Sequence, residues 1–328
     1  MLNVAINGLG RIGRATLKIV LDNPGLQLAA VNDVLTADNL AYLLKFDTVY
    51  GRWAREVHAQ NGRLQIDGKD YPILRERDLT KLPWRELGVD VVFECTGAFR
   101  ERVDLEKHIE AGARFVILSA PAKSEDVPTV IHAVNQFPRS PAQIISCASC
   151  TTNCITPVVE VMGRRIGIRK AIMTTIHAYT SSQSIVDSGD KDYRRGRAAA
   201  ANLIPASTGA ALATTRALPE LKGKFDGVAV RVPVPVGSLA DIVVVTSRNT
   251  SVEEVNRIFI EEAASERYRG VLAVTKEPIV SSDVIQQAHA STVDLSLTQV
   301  VDQDLVKVMS WYDNEWGYAN QMIREALH

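Results

Sequence analysis

Three of the four cysteines crowd into one short stretch, Ser146-Cys147-Ala148-Ser149-Cys150-Thr151-Thr152-Asn153-Cys154. Such crowding points to chemistry or metal before it points to structural staples. Ser149 is a good helix N-cap, so Cys150 is predicted to open a helix. A helix N-terminus favours a thiolate over a thiol. The same backbone N–H groups can hold an oxyanion formed at that sulfur. His177 follows a strand-like run at 171–176, and strand ends are where side chains converge on a site. A neighbouring imidazole would activate the cysteine and carry protons. Cys150 and His177 are therefore the candidate catalytic pair. Cys154, one helical turn on, and Cys95, inside an apolar run, read as small buried side chains. Cys147-x-x-Cys150 is a CxxC, but no second CxxC or nearby histidine completes a ligand set, so no metal is expected.

A second constellation lies near the N-terminus. Asn7-Gly8-Leu9-Gly10-Arg11-Ile12-Gly13 contains G-x-G-x-x-G, preceded by a strand-like run and followed by a helical one. That context turns a weak pattern into a dinucleotide fingerprint. Gly8 permits the tight turn, Gly10 lets backbone approach a pyrophosphate, and Gly13 lets helix and strand pack closely. The helix N-terminus offers N–H groups and partial positive charge to the phosphates. Asp33 stands 20 residues after Gly13 at the end of the next strand-like run. There an acidic side chain bonds the ribose hydroxyls of NAD and repels the extra phosphate of NADP.

These residues need elements to hold them. Strand-like runs at 2–6, 26–31, 89–95 and 115–119 alternate with helical patterns at 11–22 and 104–110, which predicts a parallel sheet flanked by helices. The second half changes character. Long β-patterned runs at 169–176, 227–233, 242–247 and 305–312 mix with helical patterns at 208–218 and 252–265. The expected fold class is therefore α/β: a Rossmann-type dinucleotide-binding domain over 1–149 and an α+β catalytic domain over 150–314 with a mixed or antiparallel sheet. A last helix within 315–328 is expected to pack back on the first domain.

The 328 residues suit two domains, and 46% hydrophobic with 23% charged residues is ordinary for globular chains. A net charge of -1 argues against a dedicated nucleic-acid partner. No apolar run approaches the ~20 residues that span a bilayer. The start of the chain reads directly as a strand, so neither a membrane nor an export signal is expected, and the cytoplasm is the expected compartment.

Ala148-Ser149-Cys150-Thr151-Thr152-Asn153-Cys154 resembles the active-site signature of glyceraldehyde-3-phosphate dehydrogenases. The resemblance runs almost end to end. It includes Ile6 to Arg14, Leu118-Ser119-Ala120-Pro121-Ala122-Lys123, Ser207-Thr208-Gly209-Ala210-Ala211, Val230-Arg231-Val232-Pro233 and Trp311-Tyr312-Asp313-Asn314-Glu315-Trp316-Gly317-Tyr318. It implies a phosphorylating aldehyde dehydrogenase. Cys150 would form a hemithioacetal with glyceraldehyde 3-phosphate, His177 would act as base, and inorganic phosphate would release 1,3-bisphosphoglycerate from a thioester. The resemblance places Arg11, Ile12, Asp33, Arg77, Ser119 and Asn314 around NAD. It places Ser149, Thr151, Thr180, Arg195, Thr208, Gly209 and Arg231 around two phosphate positions. Arginines paired with Ser/Thr hydroxyls suit that task. A homotetramer is also implied.

Three positions depart from the family pattern: Cys147 replaces an asparagine, Ser181-Ser182 an Asn-Asp, and Ser188-Gly189 a Leu-Pro near the adenosine ribose. Cys147 reads first as a small buried side chain; the sharper reading makes it a thiol that resolves an oxidised Cys150. The rival substrate is erythrose 4-phosphate, whose dehydrogenases the chain also resembles. A rival of another class is a non-catalytic thiol sensor or RNA-associated protein on the same fold.

Overall fold

The computed structural model describes residues 1–135 and 143–328. The chain divides into two compact units. One comprises Met1–Val130, Phe137–Ala148 and Met322–His328, the other Ile131–Gln136 and Ser149–Gln321.

In the first unit the order is β1 (Leu2–Asn7), α1 (Arg11–Asp22), β2 (Leu26–Asn32), α2 (Ala37–Lys45), β3 (Phe46–Asp47), β4 (Gly51–Arg52), β5 (Val57–Gln60), β6 (Arg63–Ile66), β7 (Lys69–Leu74), β8 (Val91–Glu94), α3 (Arg102–Glu110), β9 (Phe115–Leu118) and β10 (Ile144–Ser146). The sheet order is β10-β9-β8-β1-β2-β7-β6-β5. Strands β10 to β7 along that order run parallel, whereas β6 pairs antiparallel with both β7 and β5. The sheet is thus mixed, where the sequence pattern predicted a parallel one. After β1 the chain builds outward through β2 and then returns to β8 on the other side of β1. That reversal is a topological switch point, where open α/β sheets bind ligands. The Val4, Ala5, Ile6 and Val91 to Phe93 side chains are buried in the sheet centre, as central parallel strands require.

The second unit continues with α4 (Cys150–Arg165), β11 (Ile168–Ala178), β12 (Ile204–Ser207), α5 (Ala210–Ala217), β13 (Phe225–Val232), β14 (Ser238–Thr246), α6 (Val252–Ala263), β15 (Leu272–Thr275), β16 (Ser291–Asp294), β17 (Gln299–Val301), β18 (Leu305–Tyr312) and α7 (Trp316–Leu327). Its sheet order is β12-β13-β11-β14-β18-β16-β15, with β17 beside β18. Only β11 with β13 and β15 with β16 are parallel pairs. Along β14, burial alternates residue by residue, so one face looks into a core and the other does not. On the core side Ala240, Ile242 and Val244 cluster with Val158, Val159 and Met162 of α4 and with Val255, Ile258 and Phe259 of α6. Each such aliphatic side chain contributes about 1.5–3 kcal/mol on burial. This packing fixes α4 along the sheet, and with it the position of its first residue.

Candidate active site

Ser149 caps α4: its hydroxyl accepts from Thr152 N–H at 3.2 Å, with extended backbone at the cap. Cys150 is the first helical residue and is half-buried. Its Sγ lies 3.3 Å from His177 Nε2. His177, 3% exposed, sits one residue before the end of β11. In the parallel ladder it pairs with Arg231 of β13. Arg231 Nη1 stands 2.5 Å from His177 Nδ1 and 3.2 Å from the Ala178 carbonyl oxygen. That oxygen is itself 2.6 Å from Nδ1.

The two neighbours of Nδ1 correspond to two protonation states. When Nδ1–H donates to Ala178 O, Nε2 offers its lone pair to the Cys150 thiol. When Arg231 donates to Nδ1, the ring proton sits on Nε2, and the sulfur, one proton poorer, accepts it as thiolate. Burial, and then the Arg231 charge, lower the His177 pKa to about 3, so the imidazole is neutral at ordinary pH. Burial pushes the Cys150 thiol up, against the opposing pull of Arg231 and of Thr151 N–H. This corrects the expectation of a lowered thiol pKa: the helix N-terminus acts in the expected direction, but desolvation outweighs it. Burial thus favours the uncharged forms of both groups, the thiol and the neutral imidazole.

Tyr312, on β18, was not singled out from the sequence. Its fully buried ring meets His177 edge-on at 5.9 Å between centroids. Its hydroxyl bonds Thr151 Oγ1 at 2.9 Å and Thr175 Oγ1 at 2.7 Å. It locks the first turn of α4 to β11 and walls one side of the imidazole. The signal was its place in the Trp311 to Tyr318 block, on the inward phase of an alternating strand.

A second cluster gathers near these residues. Arg195 donates through Nη1 to Ser182 Oγ at 3.2 Å, through Nη2 to Ser207 O at 3.4 Å and through Nε to Asp192 at 3.2 Å. Ser182 Oγ bonds Thr180 Oγ1 at 2.8 Å. Thr208 and Gly209 precede α5, where Thr208 Oγ1 accepts from Ala210 N–H at 3.2 Å. The Arg195 charge is felt at Arg231, whose pKa is lowered by burial foremost. Arg231 Nε is buried without a hydrogen-bond partner among the described residues. Two cations beside several hydroxyls are the kind of grouping that can bind an anion. Asn314 lies in the same unit. Its Oδ1 accepts from Ser238 Oγ at 2.9 Å and Gly237 N–H at 3.2 Å, which fixes the orientation of the amide. Ser238 Oγ in turn accepts from Ala178 N–H at 3.1 Å.

In the first unit, a cavity of about 400 Å³ opens at the switch point, lined by Asn7, Gly8, Gly10, Asn32, Asp33, Glu76, Arg77 and Thr96 among others. Gly10 caps α1 without a side-chain oxygen, and nothing lies within 4 Å of where its Cβ would be. Backbone N–H groups there can meet a phosphate directly. A Cβ on Gly13 would fall 1.9 Å from Gly8 O. Asp33 accepts from Leu9 N–H at 2.6 Å and Leu35 N–H at 2.9 Å, a carboxylate fixed at the pocket edge. These features fit a dinucleotide. Arg11 turns toward Asp47, 2.5 Å away, and the Tyr50 ring. Ile12 lies in the first turn of α1, partly buried. Ser119 follows β9 and engages the Cys95 thiol. None of these three is among the lining residues. Cys147 is 2% exposed, and burial holds its thiol well above the ordinary value. It stays protonated, which favours the small-buried-side-chain reading over a resolving thiol.

Among the described residues, no helix is long and apolar enough to cross a membrane. Residues 2–102 match the family described as "Glyceraldehyde 3-phosphate dehydrogenase, NAD binding domain", and residues 149–314 match its "C-terminal domain". The chain is 47% identical over 325 residues to a glyceraldehyde-3-phosphate dehydrogenase of Streptomyces coelicolor, covering 98% of this chain and 96% of the relative. It is 47% identical over 327 residues to that of Geobacillus stearothermophilus, covering 99% and 97%. Glyceraldehyde-3-phosphate dehydrogenase 1 of Bacillus subtilis is 46% identical over 327 residues, with 99% and 97% covered.

Proposed function

The chain belongs to the glyceraldehyde-3-phosphate dehydrogenase family, and from that premise we propose how its residues carry out the phosphorylating oxidation of glyceraldehyde 3-phosphate with NAD. The observation that carries the reading is the 3.3 Å approach of Cys150 Sγ to His177 Nε2 at the opening of α4. Cys150 adds to the aldehyde carbon, and its thiol proton passes through His177 to the new oxygen, giving a hemithioacetal. The carbon then gives up a hydride, for which NAD supplies the acceptor when bound, while His177 Nε2 takes the hydroxyl proton. Inorganic phosphate attacks the resulting thioester. The C–S bond breaks, the acyl phosphate leaves as 1,3-bisphosphoglycerate, and the proton on His177 is available to the departing sulfur. The N–H groups at the start of α4, beside Thr151, hold the oxyanion of each tetrahedral stage. Arg195 and Arg231, with Ser149, Thr151, Thr180, Thr208 and Gly209, hold the substrate phosphate and the attacking phosphate. Gly8, Gly10, Arg11, Ile12, Gly13, Asp33, Arg77, Ser119 and Asn314 hold NAD.

Residues 1–149 are the cofactor domain in this reading, with 315–328 packed back upon it, and 150–314 the catalytic domain. The enzyme works in the cytoplasm as a homotetramer, as the family resemblance implies. The test is turnover of glyceraldehyde 3-phosphate by wild type and Cys150→Ser in the presence of NAD and phosphate. The variant is expected to bind NAD and to show no turnover, because the sulfur makes the covalent intermediate. Substantial activity in Cys150→Ser would sink the mechanism.

A further inference from the structure

Behind the pocket of the first unit runs a chain of buried polar groups that the chemistry above leaves idle. Trp84, Glu94 and His108 are all 0% exposed. Trp84 Nε1–H donates to His108 Nδ1 at 3.0 Å. An indole nitrogen only donates, so Nδ1 must accept, and the neutral ring carries its proton on Nε2. That Nε2–H faces Glu94 Oε2, 3.1 Å away. The same oxygen takes Asn7 Nδ2–H at 2.5 Å. Glu94 Oε1 takes the Thr96 backbone N–H at 2.8 Å and the Thr96 hydroxyl as well. Asn7 Oδ1 accepts from Asn32 Nδ2 at 2.7 Å, and Asn32 exchanges two bonds with the backbone of Glu76. One carboxylate thus ties together the ends of β1 and β8 and, through two asparagines, the end of β2 and the segment after β7.

Those ends are the pocket wall: Asn7, Gly8, Asn32, Glu76 and Thr96 all line it, whereas Glu94, His108 and Trp84 do not. The glycine turn has no slack against this frame. A Cβ on Gly8 would lie 2.7 Å from Thr96 N and 2.8 Å from its Cα, with Gly8 at φ +89°. Where Glu94 holds Thr96, the Gly8 turn must follow, and the N-terminus of α1 follows the turn.

We propose that Glu94, held by the neutral His108 ring, is a positioning residue for NAD, setting cofactor affinity from behind the pocket without touching the cofactor. This rests on the cofactor reading given above. A carboxylate with four donors is hard to replace, even by its own amide. In Glu94→Gln either orientation turns an NH₂ toward two donors, so the frame must shift. His108→Leu removes one donor and leaves Trp84 Nε1–H unmet. His108→Gln offers an amide N–H close to where Nε2–H was.

The experiment is direct measurement of NAD binding together with steady-state kinetics on the full-length chain. Glu94→Gln and His108→Leu are expected to raise the Kd and KM for NAD about tenfold. At saturating NAD, kcat, the KM for aldehyde and phosphate, and the alkylation rate of Cys150 without cofactor should stay within about twofold of wild type. His108→Gln should recover most of the lost affinity. Should Glu94→Gln fail to fold, His108→Leu and its rescue by His108→Gln still test the idea through the Kd for NAD, since His108 holds the same carboxylate. The proposal is overturned if the variants bind NAD as wild type does, or if kcat falls while the KM for NAD stays put, the mark of a merely structural role. A wild type that fails to bind NAD overturns the cofactor reading, and the positioning role with it.

Discussion

At the scale of the residue, the pairing of a raised thiol with a depressed histidine makes a definite demand on pH. The folded-state pKa of His177, about 3, lies below the 6.5 of a free histidine. Above pH 6.5 the ring is neutral in both folded and unfolded chains and contributes nothing to the pH dependence. Below it the unfolded chain takes up a proton that the folded chain refuses, so stability falls as pH drops from 6.5 toward 3, by up to about 1.4 kcal/mol per pH unit. His177→Asn should flatten that part of the curve in denaturant titrations from pH 7 to 4; an unchanged slope would show that the ring protonates freely in the fold. The same variant should lose on the order of 10²–10⁴ in turnover, the usual range for a general base. It should also slow alkylation of Cys150 near neutral pH. The residue types of this pair were legible in the sequence, as was the helix that begins at Cys150. The direction of the thiol shift was not, because it depends on how much water the folded chain excludes. Glu94 carries its own signal in the sequence: an acid set between the apolar run Val91-Val92-Phe93 and Cys95 is costly to bury unless donors surround it.

Among the elements, those with strong local signals came out closely. The helix predicted at 11–22 and the strand predicted at 305–312 have the observed bounds, and 252–265 shortens to Val252–Ala263. The first sheet is mixed where a parallel one is expected because β6 pairs antiparallel with β5 and β7, strands that the sequence pattern does not bring out. Their punctuation was present. Asn61-Gly62 and Asp67-Gly68 are two-residue hairpin turns, and all four residues have positive φ, as such turns require. The strands between them are short, and polar residues mask their alternation. The predicted helix 208–218 starts instead at Ala210, because Thr208 and Gly209 stay outside as its cap. Caps also give a clean test at this scale. Ser251 accepts from Glu254 N–H at 3.3 Å and starts α6. Ser251→Ala should cost about 1 kcal/mol, seen as a lower thermal midpoint with unaltered turnover. A midpoint equal to wild type would mean that the core contacts of Val255, Ile258 and Phe259 alone define where the helix begins.

For the whole molecule, the tetramer is the testable expectation. Sedimentation equilibrium should give about four times the 35.9 kDa chain mass, and a single-chain mass would refute it. Chain length led to the expectation of two domains with single boundaries; the two compact units are instead stitched from separated segments. The last helix is shared: residues up to Gln321 group with the second unit, and Met322–His328 with the first. Met322 and Ile323 are buried, and Leu327 Cδ2 comes within 3.1 Å of a Cβ built on Gly25, at the turn before β2. On the ribosome this arrangement has a cost in time. The sheet strands of the first unit emerge early, yet the surface that Met322–His328 completes must wait until α7 has been made. The first unit can therefore close fully only when synthesis is nearly complete, with Met322 and Ile323 among the last side chains to be buried.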